Sequence, residues 1–181
     1  MAFEFVVETG VGDPDANSYA SVEFADDYIA TNAFASVQWE LLSVSAKQKL
    51  LVRATKIIDR RVQWAGERVD GDSGLRWPRA GVYDADGFLI PDDVIPDELI
   101  EAVCEFATYL MTTDWTNETT EASGALSKIK VDVIELEMDT SSSSSSSTSR
   151  GDLPQYVIDM LESLGMVESK GGTAFKRIIR H

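Results

Sequence analysis

The residues able to do chemistry are few in kind, and most can be assigned by elimination. The one histidine is His181, the last residue, so a Ser/His/Asp or Cys/His device has no base set among other candidates. Cys104 is the one cysteine. No internal disulfide can form, and a zinc site built of cysteines is excluded. Cys104 lies in an apolar helical run, where a small buried hydrophobe belongs. Asp84, Asp86, Asp92 and Asp93 invite a calcium reading, but the ~12-residue loop ending in a bidentate glutamate is missing. Turn formation accounts for them better. The expectation is therefore no catalytic, cofactor-binding or metal-ligating set, and no enzyme.

Cations and aromatics leave more open. Lys47, Lys49, Arg53, Lys56, Arg60 and Arg61 recur at helical spacing opposite an apolar stripe of Leu50, Leu51, Ala54, Ile57 and Ile58. Such a face can be solvated and paired with carboxylates, or it can meet a partner or phosphates. Trp64 beside Arg61, and Trp77 between Arg76 and Arg79, could stack on bases next to cations. Closing over the helix ends as core is the simpler role for the same tryptophans.

These residues need a frame, and the chain predicts one that is mainly α, of the α+β class. It consists of a helical-bundle core with a β-hairpin, a further strand segment and an extended C-terminal arm. Phe3 to Glu8 has strand composition, stopped by Thr9-Gly10-Val11-Gly12-Asp13-Pro14. Ser21 caps a first helix running to about Asn32, with Asp26 and Asp27 on its wet side. Trp39, Leu41 and Leu42 read as a plug between helices. Ser45 caps a second helix, Ala46 to Arg61. Val82 to Ile90 reads as a hairpin about Asp84-Ala85-Asp86-Gly87. Pro96-Asp97-Glu98 opens a third helix, apolar nearly all round through Met111.

Beyond it, Lys128 to Met138 alternates as a strand, and Thr140 to Arg150, almost pure serine, reads as a tether. A short helix follows Leu153-Pro154, with Gly165 as its C-cap. The terminal arm sets Phe175, Ile178 and Ile179 among Lys176, Arg177 and Arg180, to be donated to a partner or folded back. The expected organisation is a core at 1–139, a tether at 140–150 and a small helix with its arm at 151–181.

Bulk properties point the same way. The chain has 181 residues and a net charge of −15, which disfavours adventitious binding to nucleic acid or anionic membrane. Residues 1–139 hold 27 acidic and 11 basic side chains, against four and five in 140–181. No apolar run reaches the roughly 18–20 residues that span a bilayer, and no N-terminal signal is recognised. An aqueous, reducing setting is expected.

The ordered set Asn17-Ser18-Tyr19, Arg53-Ala54-Thr55, Ile58-Asp59, Trp64, Trp77-Pro78-Arg79-Ala80-Gly81-Val82, Asp86-Gly87, Ile95-Pro96 and Ala102-Val103-Cys104-Glu105 resembles a tailed-phage family. Its members carry a DnaT-like single-stranded-DNA-binding label and are similar to head–tail connector, or head-completion adaptor, proteins. The resemblance covers about residues 10–112. The polyserine stretch and the Phe-Glu-Phe start depart from it.

The resemblance implies a virion protein of the neck, assembled in the host cytoplasm. It would form a ring of about twelve copies under the portal protein and carry tail, stopper or tail-terminator proteins. Double-stranded DNA would pass through without specific binding, and no membrane is involved. On that reading Phe175, Lys176, Arg177, Ile178, Ile179 and Arg180 form the portal or subunit interface. Lys49, Arg53, Lys56 and Arg60 form an inter-subunit basic face, and Trp77, Pro78 and Arg79 a structural turn. The rival readings are a single-stranded-DNA binder using Trp64, Trp77 and their arginines, and a hydrolase using paired carboxylates.

Overall fold

A computed structural model describes residues 3–112 and 153–167. Among the described residues, five helices and two small antiparallel sheets make the fold mainly helical, as the periodicity predicts. The helices are α1 (Val22–Ala30), α2 (Ser36–Glu40), α3 (Val44–Arg61), α4 (Asp97–Thr112) and α5 (Gln155–Leu161). The strands are β1 (Val62–Trp64), β2 (Glu67–Arg68), β3 (Arg79–Ala80) and β4 (Gly165–Val167). The predicted strand at Lys128–Met138, the serine tether and the arm at Phe175–Arg180 lie outside the described residues.

The helices form where capping and periodicity agree. The Ser21 side chain accepts from Phe24 N at 3.1 Å, and Val22, Ala25 and Ile29 turn α1 inward. In α4, Leu99, Ala102, Val103, Phe106 and Ala107 are all buried, at the spacing of one broad helical face. That face packs against α3, and α4 also meets α1 and α5. Leu153, Val157, Leu161 and Leu164 are buried in the same core. The stretch that the sequence separates as a late appendage thus seals α4.

Several boundaries differ from expectation for identifiable reasons. Helix α3 starts earlier, because Ser43 rather than Ser45 caps it and accepts from Ala46 N at 3.3 Å. Phe3–Glu8 makes no ladder beyond a bridge between Val7 and Ser18. Asn17 occupies its polar groups instead: Val6 N donates to Asn17 Oδ1 at 3.2 Å, and Asn17 Nδ2 donates to Glu4 O at 2.8 Å. The hairpin at Val82–Ile90 shrinks to a bridge between Tyr83 and Leu89. There the Asp84 carboxylate takes the Asp86 and Phe88 amides at 3.0 and 2.8 Å, a local bond that competes with strand pairing. Those aspartates do act as turn formers.

Gly165 is not a helix cap. It opens β4, paired with Trp64, while Val167 pairs with Val62. A β-carbon there would lie 2.7 Å from Gln63 O and 3.0 Å from Trp64 Cα, so glycine is required by close approach rather than by turn geometry. Asp26 keeps 44% of its side chain exposed on the expected wet side, yet it does not stand free. It accepts from the Trp39 indole at 2.7 Å and from Lys47 Nζ at 2.8 Å, tying α1, α2 and α3 together. Burial pushes its carboxyl up, but the Lys47 and Trp39 hydrogen bonds outweigh that and leave it lowered. Trp39 is the expected plug; Leu41, by contrast, faces solvent.

Candidate interaction surface

The residues that carry the family resemblance converge in the interior. Tyr19, from the Asn-Ser-Tyr run, donates its hydroxyl to Asp59 Oδ1 at 2.8 Å. The Arg76 amide donates to Asp59 Oδ2 and to Tyr19 Oη, both at 3.2 Å, and the Trp77 amide donates to Tyr19 Oη at 3.1 Å. Both side chains are buried. Burial raises the Asp59 carboxyl, opposed by the Tyr19 and Arg76 hydrogen bonds; burial, and then the Asp59 charge, raises the Tyr19 phenol. The hub therefore clamps the end of α3 to the loop that carries the cis Trp77–Pro78 peptide.

The rest of that turn is also structural. Trp77 is 0% exposed and meets Trp64 edge to face, with centroids 5.9 Å apart. As it stands its ring offers no face to a base, and it takes the core role that the sequence reading favours for it. Trp64 is half-buried. Pro78 is buried, and Arg79 is half-buried. The Arg79 guanidinium donates to Ala65 O, to Gly66 O at 2.6 Å and to Arg76 O at 3.2 Å. It knits three backbone carbonyls and is not held out for a partner.

The outward faces differ sharply in chemistry. Lys49, Arg53, Lys56 and Arg60 are all exposed. Their spacing sets them on one stripe about 16 Å long, opposite the buried side of α3. Among the described residues the only ion pair is Lys47–Asp26, so none of these four is paired there. Lys47 belongs to the interior and not to that face. On α4, Asp97 and Glu98 are exposed and Glu101 and Glu105 half-buried, along the side opposite the core. Glu105 accepts from Tyr28 Oη at 3.3 Å. Burial, followed by repulsion from Asp97, Glu98 and Glu105, raises the Glu101 carboxyl.

A third face is apolar. Phe34 is 94% exposed, Val37 64%, Leu41 83% and Val44 61%, at successive spacings of three, four and three residues, before α2, within it, at its C-cap and at the first residue of α3. Tyr83, Phe88, Leu89 and Val94 are also exposed on the loop before α4. The sequence carries the α2 signal in that spacing, but reading Leu41 as core hides it. The acidic stripe of α4 is hidden in the same way, because Asp97 and Glu98 already serve the helix dipole.

Concave sites are slight. A cavity of about 180 Å³ opens between α1, α2 and α3, lined by Asp26, Trp39, Glu40 and Lys47. Asp26 there already holds the Trp39 indole and Lys47, and the cavity is smaller than the roughly 300–1,000 Å³ of usual ligand sites. Among the described residues no cluster of His, Cys, Asp or Glu could hold a metal ion. No described helix is long and apolar enough to cross a membrane.

These features define a small α+β helical domain whose distinctive residues build its scaffold and whose surface is divided into charged and apolar faces. A family profile described as "Putative DnaT-like ssDNA binding protein" matches residues 3–181, and the chain belongs to that family. No curated protein and no solved structure matches it.

Proposed function

We propose that the chain is a structural protein of a tailed-phage neck. It is a ring-forming head-to-tail adaptor that docks under the portal, extends the DNA channel and offers a platform to a tail or stopper protein. The observation that carries this reading is the apolar face of Phe34, Val37, Leu41 and Val44. Exposed apolar groups gathered within one short stretch of chain mark a contact surface. The stripe of cations on α3 adds a second surface, so one subunit presents two unlike faces, as a closed ring of heterologous contacts requires. The net charge of −15 suits a wall past which duplex DNA slides without sticking, because counterion release needs clustered cations. No membrane and no catalysis enter this reading.

Single-stranded-DNA binding is the second reading. The family's name and the four exposed cations of α3 favour it. With Trp77 buried, stacking would fall to Trp64 alone.

Electron microscopy of the full chain, alone and with the portal of the phage that encodes it, separates the two. The adaptor reading expects closed rings coaxial with the portal. A monomer in both samples that binds oligo(dT), with affinity falling steeply as salt rises, overturns it in favour of the second.

A further inference from the structure

The basic stripe of α3 has the chemistry of a docking face, and the chain itself carries its complement. Lys49, Arg53, Lys56 and Arg60 project from the side of α3 opposite its buried residues. Asp97, Glu98 and Glu101 occupy the side of α4 opposite its own. The two helices pack core side to core side, so the stripes face away from one another and cannot meet within one subunit. Among the described residues neither stripe enters an ion pair.

We propose that the α3 stripe of one copy seats on the acidic α4 face of the next, and that this charge pairing fixes subunit order and orientation. The inference rests on the ring-forming reading above and names the contact that reading leaves unspecified. Repetition at one helical turn on both sides lets two helices lie alongside with several pairs in register. Exposed ion pairs are individually weak. Their part is to select the correct neighbour and suppress wrong ones, with apolar burial elsewhere supplying the holding energy. Like-charge contact would be penalised, so α3-to-α3 and α4-to-α4 packing are both disfavoured.

Charge reversal tests this. One variant carries Arg53→Glu with Lys56→Glu, another Glu98→Lys with Glu101→Lys, and a third all four changes. Each is measured as the full chain by light scattering, under conditions where the wild type is assembled. Each two-site variant should fall to the mass of a single chain while keeping the wild type's helical circular-dichroism signal and a cooperative thermal transition. The four-site variant should regain the assembled mass, as should an equimolar mixture of the two-site variants, whose unlike stripes can alternate. Assembly that survives both two-site changes overturns the stripe pairing while leaving the ring intact. Dissociation that neither the four-site variant nor the mixture reverses also overturns it. A wild type that stays monomeric under every condition, portal included, removes the ring reading and this contact with it.

Discussion

At the residue scale the molecule turns on Tyr19 and Asp59. Tyr19→Phe removes the donor to Asp59 and the acceptor for two amides, that of Trp77 buried and that of Arg76 part-buried. It should lower unfolding free energy by about 1–3 kcal/mol, read by urea denaturation at neutral pH. Asp59→Asn should cost a similar amount despite removing a buried charge. An amide nitrogen on one side must face either the Arg76 N–H or the Tyr19 O–H, both of which donate. A stability equal to wild type in either variant would show that the hub is not what holds the Trp-Pro-Arg turn. Burial, and then the Glu105 and Glu101 charges, push the Cys104 thiol up to about 12. It should therefore resist a thiol reagent in the native chain and react only on unfolding. The hub residues stand out in the sequence as an ordered set, yet their job is not legible there. The bonds that define it join positions 40, 57 and 58 residues apart.

At the element scale the helices were largely legible and the strands largely were not. Helix α4 declares itself through Pro96, its acidic first turn and its apolar spacing, all local. Strands β1 and β4 are three residues each, and their pairing joins Val62 to Val167; no period-2 run that short can announce its partner. Ser43 and Ser45 are equally good capping types, so the sequence alone puts the cap of α3 two residues late. The difference is testable. Ser43→Ala should cost about 0.5–2 kcal/mol, and Ser45→Ala close to nothing; the reverse ranking in thermal melts would move the boundary back. On α4, a raised Glu101 carboxyl means that the folded state holds its proton more tightly than the unfolded state. Its contribution to stability is therefore greatest at low pH and falls as pH rises through the folded value. Glu101→Gln should raise the thermal midpoint at pH 7, and the gain should vanish as pH drops below about 4. The same change weakens the proposed docking face, so a better-behaved monomer should assemble less well.

At the scale of the whole molecule, the residues after the long undescribed stretch belong to the core. Leu161→Ala should cost about 2–5 kcal/mol, since that side chain is fully enclosed with Val157 and Leu164. Removing everything from Gly151 onward should unfold the domain, whereas removing 168–181 takes away none of the core residues named above. Only the second truncation, then, tests the role assigned to Phe175–Arg180, by whether the shortened chain still joins its assembly. The pairing of β4 with β1 has a mechanical consequence. Because Val167 lies beside Val62, and Val62 follows directly on Arg61, tension on the segment beyond Val167 is delivered to the foot of the longest helix. A three-residue clasp is the fuse on that load path: under pull it would part before the interior gives way, leaving the helices seated while the trailing chain pays out.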